Sequence, residues 1–307
     1  MPQKVILDVD TGTDDAVALM LAALHPEIEL IAATTVGGNV PVENCTENTL
    51  RVFDHIGVSI PVYEGMGVPL ARSQFPRGSV HIHGEYLDIP PSRSKAESMH
   101  AVDYLIRTFM KSDGDIILVP TGSMTNVAMA IRQEPRIVPK IREIIFMGGG
   151  HEIGNVTPSA EANIFRDPEA ARVMVQCGVP MRMLPLDATH KALISTEDCQ
   201  AFRAIGTPAA VATAIFVERR IKAYDATQPM KRLGTTPLHD PLCIACIIEP
   251  DIIETDFIYV DVECYGELTR GRTVCDTHHR SGKEPNVHVA FNADEARFRK
   301  MLMDTFS

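Results

Sequence analysis

The chain has 307 residues, 45% of them hydrophobic, and its formal net charge at pH 7 is −11. Because nucleic acids and many membrane surfaces are negative, an acidic chain without basic clusters is a poor candidate to bind either. No apolar run reaches the roughly 20 residues that a membrane-spanning helix needs, and the length is ample for a large core. We therefore expect a small molecule as the partner.

The seven cysteines are scattered and odd in number, and no secretion signal precedes the first predicted strand. Both features are typical of proteins that keep their thiols reduced in the cytoplasm. We therefore expect a cytoplasmic location.

Strand-like and helix-like segments alternate through the first two thirds of the chain. The predicted strands are at 5–7, 29–35, 60–63, 115–119, 143–147 and 181–186. The predicted helices are at 16–25, 42–56, 95–110 and 124–132, with another beginning at Asp167-Pro168. This alternation predicts an α/β fold with a mostly parallel, doubly wound, Rossmann-like sheet flanked by helices. A long loop is predicted at 64–94, where Gly, Pro and Ser are frequent.

The last third of the chain has a mixed pattern. It predicts helices near 196–224 and 240–248, additional antiparallel strands near 256–263, 268–276 and 286–291, and a final helix at 294–304. Since no linker, charge run or internal repeat interrupts the chain, we expect one domain over residues 1–307.

The first strand leads directly into a group of acidic side chains. Asp8 and Asp10 lie two apart on a strand and so leave the same face, while Asp14 and Asp15 open a helix. Four carboxylates this close repel one another unless a cation lies between them, and oxygen ligands favour Ca²⁺ or Mg²⁺. An ordinary helix cap at Asp14 beside a solvated loop would explain only one or two of the acids.

The run Asp-Val-Asp-Thr-Gly-Thr-Asp-Asp-Ala at 8–16 resembles the amino-terminal signature of the inosine-uridine preferring nucleoside hydrolases. The run 155–163 and the pair His239-Asp240 match the same family, and the resemblance extends from residue 4 to about 292. It implies a Ca²⁺-dependent N-ribohydrolase that cleaves a ribonucleoside to ribose and free base in nucleoside salvage or catabolism. Family members are usually homotetramers or dimers.

The resemblance also implies a metal site. It carries Ca²⁺ ligation to the carboxylates of Asp10, Asp15 and Asp240 and to the carbonyl of Thr121. Asp10 would contact the ion and also act as base toward the metal-bound water that attacks the sugar. Spacing alone does not distinguish Asp10 from the other acids of the first motif, and Asp240 could also be a plain helix cap.

A second set of residues is implied for the sugar, whose hydroxyls pair well with amide and carboxylate groups. By resemblance, the substrate-binding residues are Asp14, Asn39, Met147, Asn155, Glu161, Asn163 and His239. The transition state would resemble an oxocarbenium ion, which nearby carboxylates stabilise.

Two histidines match family positions near the base. His83 lies in the predicted long loop, and His239 directly precedes Asp240. Either could donate a proton to the departing base, because imidazole titrates near neutral pH. The absence of tryptophan disfavours relatives that stack a purine between indoles, while inosine, uridine and cytidine all stay open.

Two other classes of function are considered. A haloacid dehalogenase-type phosphatase also begins with a strand ending in Asp-x-Asp, but Gly12 stands where those enzymes have Thr or Val. A non-catalytic ribose-binding or metal-binding module would use the same acids without turnover.

Overall fold

The computed structural model describes residues 1–76 and 82–307. In these ranges the strands are β1 (Gln3–Val9), β2 (Ile28–Thr35), β3 (Val62–Glu64), β4 (Ile116–Pro120), β5 (Ile141–Met147), β6 (Met181–Leu184), β7 (Leu193–Ser195), β8 (Thr235–Pro237), β9 (Ile253–Ile258), β10 (Val260–Val262), β11 (Thr273–Cys275) and β12 (Val287–Ala293). The predicted loop at 64–94 includes residues 77–81, which lie outside the described residues.

The helices of the described ranges follow most strands. They are α1 (Thr13–Leu24), α2 (Val42–Ile56), α3 (Ala101–Lys111), α4 (Thr125–Gln133), α5 (Ala162–Arg166), α6 (Pro168–Val175), α7 (Leu186–Thr189), α8 (Thr196–Ile205), α9 (Pro208–Thr227), α10 (Pro241–Ile248) and α11 (Glu295–Thr305), with short 3₁₀ helices at Pro135–Lys140 and Pro250–Ile252. None of these helices is long and apolar enough to cross a membrane.

The main sheet has the strand order β3-β2-β1-β4-β5-β6-β12-β9 in the described part of the chain. Its strands pair in parallel except for β9, which is antiparallel to β12. Two small antiparallel pairs, β7–β8 and β10–β11, lie outside it. The predicted fold class is confirmed. Because β1 pairs with both β2 and β4, the strand order reverses there, which is where such sheets bind ligands.

Both faces of the sheet are buried, and β1 shows why its sequence is a continuous apolar run. Val5, Leu7 and Val9 pack into the hydrophobic core that contains α1, α9 and α10. Ile6 packs into the opposite core, with α3, α4 and α6. Successive side chains of a strand alternate between the two faces, so a strand covered on both sides needs apolar residues at every position.

Some predicted boundaries were wrong for local reasons. The region 196–224, predicted to be helical without an internal boundary, consists of two helices, because Gly206 ends α8 in a left-handed conformation (φ 80°). Thr207 then caps α9 by accepting from the Ala210 N–H, with Pro208 in the first turn. Similarly, α3 begins at Ala101 and not near residue 95, because the His100 side chain caps it.

Antiparallel strands near the carboxy terminus are present as predicted, since β9 pairs with β12 and β10 pairs with β11 in antiparallel fashion, but one strand has an unexpected neighbour. The strand expected near 286–291 as an antiparallel addition is β12, which joins the main sheet and runs parallel to β6. Only its other edge is antiparallel, against β9. Alternation of apolar residues indicates a strand but not the direction of its neighbours, so the sequence pattern did not contain this information.

Candidate active site

The predicted site residues lie at the carboxyl ends of neighbouring strands. Asp10 directly follows β1, Asn39 lies after β2, Thr121 directly follows β4, and Met147 is the last residue of β5. Because these strands are parallel, the four positions are at one edge of the sheet, around the reversal of strand order.

Three acids form a buried cluster at this edge, which we call the carboxylate cluster: Asp14, Asp15 and Asp240. One ligand oxygen from each lies within 4.8 Å of the others. Asp14 and Asp15 belong to the first turn of α1, and Asp240 occupies the cap position of α10. In the described structure the Asp240 side chain makes no capping hydrogen bond, so a plain helix cap does not account for it.

The charges of the cluster are only partly balanced by protein groups. Burial, reinforced by Asp14, raises the pKa of Asp15 to about 7. Burial and the neighbouring acids raise the pKa of Asp240 well above its usual value. Burial opposes ionisation of Asp14 as well, but Arg220, 3.0 Å away, is the main reason why its pKa falls to about 2. A buried, oxygen-only donor set with excess negative charge fits a hard divalent cation.

Thr121 contacts this cluster directly. Its hydroxyl donates to Asp15 Oδ1 over 2.8 Å, and the Gly12 N–H donates to Asp15 Oδ2 over 2.9 Å. The Thr121 carbonyl accepts from the Asn163 amide over 2.7 Å. A carbonyl oxygen has two lone pairs, so this bond leaves Thr121 able to ligate a cation as well.

Asp10 is buried beside the cluster but is held by a different partner. The Arg166 guanidinium lies 2.6 Å from Asp10 Oδ2, and the Asn39 N–H donates to the same oxygen over 2.8 Å. Burial raises the Asp10 pKa well above its usual value, while Arg166 acts in the opposite direction. Gly38 makes this placement possible, because a Cβ there would collide with the Asp10 carboxylate.

Asp8, the fourth acid of the first motif, is separate from the cluster. Its Oδ1 accepts from the Thr34 hydroxyl over 2.6 Å and from the Asn126 amide over 2.8 Å. Burial raises its pKa to about 7. Asp8 therefore joins β1 to β2 and α4.

The residues assigned to the sugar cluster around α5. Glu161 caps this helix and accepts from the N–H groups of Gly149, Asn163 and Ile164. The Asn163 amide donates to the carbonyls of Thr121 and Met147. Asn155 Oδ1 accepts from the Ala162 N–H over 2.9 Å. These bonds fix the side chains before any ligand binds.

His83 reaches the cluster from the long loop. Its Nδ1 lies 3.0 Å from both the N–H and the hydroxyl of Thr13, and 3.7 Å from Asp14. Burial and nearby arginines lower its pKa to about 3. The ring is thus neutral at pH 7, and because Nδ1 accepts from a backbone N–H, its proton lies on Nε2.

His239 lies between two hydroxyl groups. Its Nε2 is 2.8 Å from Tyr224 and its Nδ1 is 2.7 Å from Thr189. Burial and Arg220 lower the His239 pKa well below its usual value, and burial raises the Tyr224 pKa to about 12. The imidazole and the phenol are therefore both neutral.

Three residues of this site were missed from the sequence: Arg166, Arg220 and Tyr224. Arg166 is three positions after Asn163, a spacing that places both on one face of a helix, and this signal could have found it. Arg220 and Tyr224 are four apart in the middle of α9, and nothing in their local sequence links them to acids more than 200 residues away.

Fold and site together define a class: α/β proteins that bind a small ligand beyond the strand ends, here with acids that could hold a hard cation. The family model for inosine-uridine preferring nucleoside hydrolases matches residues 5–300, and the chain belongs to this family. The resemblance stated from the sequence motifs is confirmed.

Individual relatives agree with this assignment. A pyrimidine-specific ribonucleoside hydrolase, RihB, from Escherichia coli is 43% identical over 95% of this chain and 93% of its own. A purine-preferring ribonucleoside hydrolase from Gardnerella vaginalis has a similar structure, with a TM-score of 0.92, 36% identity, and coverage of 99% of this chain and 98% of its own. A plant nucleoside hydrolase, PpNRh1, has a TM-score of 0.90 and 29% identity over 100% of this chain and 99% of its own.

The chain is therefore an enzyme, a hydrolase that cleaves the N-glycosidic bond of ribonucleosides. Neither alternative class raised by the sequence, the phosphatase or the non-catalytic binding module, is favoured by these comparisons.

Proposed function

We propose that this nucleoside hydrolase depends on Ca²⁺, held by Asp10, Asp15, Asp240 and the carbonyl of Thr121. The observation that carries the proposal is the buried carboxylate cluster, in which Asp15 and Asp240 lie together with Asp14, one oxygen of each within 4.8 Å of the others. Asp10 is buried beside this cluster and interacts electrostatically with Asp15 and Asp14. When bound, the ion would supply positive charge that favours deprotonation of a water molecule. All the donors are oxygen atoms, which suits Ca²⁺ and does not suit softer metals.

The protein's own residues would assist bond cleavage at the sugar. As the bond between the anomeric carbon and the base breaks, its electron pair leaves with the base and positive charge develops on the ribose ring. Buried carboxylates stabilise that cation more than the neutral substrate, which lowers the barrier. The oxygen of a water then bonds to the anomeric carbon, and Asp10 takes the released proton.

Positioning of the ribose would come from side chains that the fold already holds in place. The proposed contacts to the nucleoside are Asp14, Asn39, Met147, Asn155, Glu161, Asn163 and His239. In support, the described partners of Glu161 and Asn163 are mostly backbone groups of the same edge of the sheet, so these side chains need little reordering. A fixed site can hold the substrate in one orientation without the entropy cost of ordering its own side chains.

The proton for the leaving base is assigned to His239, with His83 as the second candidate. The Tyr224 hydroxyl on His239 Nε2 and the Thr189 hydroxyl on Nδ1 can each donate or accept. Such a chain can pass a proton toward the base and replace it from the other side. His83 carries its proton on Nε2, while its Nδ1 lies 3.7 Å from Asp14, and the residue lies on a loop.

We propose pyrimidine ribonucleosides, uridine and cytidine, as the preferred substrates. Two observations support them: the 43% identity to a pyrimidine-specific relative and the absence of tryptophan from the chain. A purine preference, as in the name of the Gardnerella vaginalis relative, is the competing outcome of the same screen.

The proposed cellular setting rests on the cysteines and on the reaction. All seven cysteines are free thiols, which suits the reducing cytoplasm, and a role in nucleoside salvage or catabolism follows from the reaction. We also propose one domain over residues 1–307, because the two cores share the strands of one sheet, and a homo-oligomer, either a dimer or a tetramer.

A screen of common ribonucleosides for release of free base tests these proposals. We expect uridine and cytidine to be cleaved fastest, activity to vanish after exhaustive chelation, and Ca²⁺ to restore it. Full activity in the chelated protein would contradict the metal assignment, and faster cleavage of inosine than of uridine would contradict the pyrimidine preference.

A further inference from the structure

We propose that Arg166 is a built-in counter-ion of the active site: it neutralises Asp10 when no metal is bound and weakens metal binding when a cation arrives. Arg166 is thus a positioning residue that acts through Asp10. The part of this inference that concerns metal affinity rests on the proposed Ca²⁺ site, whereas the part that concerns the metal-free protein does not.

The contacts of Arg166 are directed at site residues. One terminal nitrogen lies 2.6 Å from Asp10 Oδ2 and 3.0 Å from Asn163 Oδ1, and the other lies 2.7 Å from Asn39 Oδ1. The Asn39 amide in turn donates to the Asp10 carbonyl and to Asp10 Oδ1, each over 3.2 Å. One guanidinium therefore fixes an acid and two amides assigned to ion and sugar binding.

Because the ion pair between Asp10 and Arg166 is largely buried, its electrostatic interaction is strong. The Asp10 side chain is 1% exposed and the Arg166 side chain 13% exposed, so solvent screens their interaction poorly. A carboxylate this deeply buried is costly without a partner, and the other acids around it add repulsion. In the metal-free protein, the Arg166 guanidinium therefore supplies the positive charge that a metal ion would supply when bound.

The two carboxylate oxygens of Asp10 have different hydrogen-bond partners. Oδ2 is taken by Arg166 and the Asn39 N–H, while the described contact of Oδ1 is the longer bond from the Asn39 amide. If Asp10 helps to hold a cation, its carboxylate would be shared between that cation and the guanidinium on Oδ2. Two positive charges that share one carboxylate repel each other, so Arg166 must lower the affinity of the site for the ion.

The test compares Arg166→Gln with Arg182→Gln as a matched control. Arg182 forms a similar, partly buried pair with Glu143, with nitrogen–oxygen distances of 2.7 and 2.8 Å, on strands β5 and β6. Its side chain is 17% exposed, close to that of Arg166, but its partner is not one of the proposed ligands. Both substitutions remove one guanidinium and keep an amide in its place.

With Ca²⁺ alone as the probe, titration calorimetry on the full-length protein should show roughly 10- to 100-fold tighter binding for Arg166→Gln than for wild type, because a nearby positive charge is lost. The rise in Tm on adding Ca²⁺ should grow accordingly. Arg182→Gln should lower Tm equally with and without the ion and leave the Kd unchanged. Unchanged or weaker binding by Arg166→Gln would overturn the inference and make Arg166 an ordinary structural ion pair.

A second measurement needs no metal. In chelator, Arg166→Gln should lower Tm because Asp10 loses its partner, and the double variant Asp10→Asn with Arg166→Gln should recover most of that loss. Additive losses from the two substitutions would overturn the counter-ion role. A wild-type protein that does not respond to Ca²⁺ would contradict the proposed ion, and it would leave this second result to decide the role of Arg166.

Discussion

The active site has an acidic side, the carboxylate cluster, and a histidine side, formed by His83 and His239. Burial shifts the pKa values of the two sides in opposite directions. In the carboxylate cluster, burial raises the pKa of Asp15 to about 7, toward the neutral acid. On the other side, burial lowers the pKa of His83 to about 3 and that of His239 well below its usual value, toward neutral imidazole. Burial penalises charge of either sign, so one cause produces both shifts.

A cation would separate the two sides further. Positive charge at the cluster would restore ionisation of the acids, whereas it would make the neutral form of each histidine still more favourable. A cation beside the acids would therefore allow this site to carry several negative charges and neutral imidazoles together.

The largest effect is expected from Asp240→Asn, which removes one charge from the cluster but keeps its shape. Activity should fall by about 10⁴-fold or more, since loss of a single electrostatic group already costs about 10²–10³ and the ion would be lost too. Calorimetry should detect no Ca²⁺ binding. Asp198→Asn, which weakens the cap of α8 and a 3.6 Å ion pair with Arg299 but alters no proposed ligand, should keep both properties. Normal Ca²⁺ binding by Asp240→Asn would contradict the proposal that Asp240 is a ligand of the ion.

The ribose is proposed to bind between the acidic side and the histidine side. Cleavage of uridine and of 2′-deoxyuridine by the same enzyme tests whether the residues assigned to the sugar bind the ribose hydroxyls. If Asp14, Glu161 and Asn163 bind ribose hydroxyls, kcat/KM for the deoxynucleoside should be lower by about 10⁴-fold, because buried polar groups built for a hydroxyl penalise its absence. Steady-state kinetics with the wild-type enzyme suffice. Equal values for the two substrates would remove these residues from sugar binding.

On the histidine side, His239→Ala should slow release of a poor leaving group by about 10²–10⁴-fold, the usual worth of general acid catalysis. Cleavage of p-nitrophenyl riboside, whose leaving group needs no proton, should be nearly unaffected. Tyr224→Phe removes the hydroxyl on Nε2 and should show the same contrast more weakly. Equal losses on both substrates would assign His239 to binding or site geometry and not to proton donation.

The smallest effect is expected from pH. Because the Asp15 pKa is raised to about 7 in the metal-free protein, ion binding must displace a proton below that pH. The Kd for Ca²⁺ should therefore weaken by up to about tenfold per pH unit below 7, for each proton displaced. Calorimetry at pH 5.5 and pH 8 measures this, and a Kd that does not change between them would contradict the raised pKa.

The raised pKa of Asp15 also determines whether the metal-free protein becomes more or less stable as pH rises. The folded protein keeps the Asp15 proton between about pH 4 and pH 7, where the unfolded chain has released its own. The contribution of Asp15 to the free energy of unfolding therefore decreases as pH rises through this window. With saturating Ca²⁺ the acid is already ionised in the folded state, so this decrease should disappear.

How much the sequence could predict depends on how far apart the interacting residues lie. The fold class was predictable from the alternation of strand-like and helix-like segments, and the acidic edge because Asp10, Asp14 and Asp15 follow one strand within a few residues. Arg220 was not, since a buried arginine on α9 meets Asp14 only after the chain has folded. The role of Arg166 was hidden for a different reason, because its helix register was visible but its partner Asp10 was not.

The position of β12 has a consequence for the order of events during synthesis. β12 lies between β6 and β9 in the main sheet, yet it follows both of them in the chain. Until it emerges, β6 has no partner on that side and β9 has no place in the main sheet. A nascent chain with all of its site residues complete would therefore still expose two unpaired strand edges, which are the features that make incomplete chains aggregate.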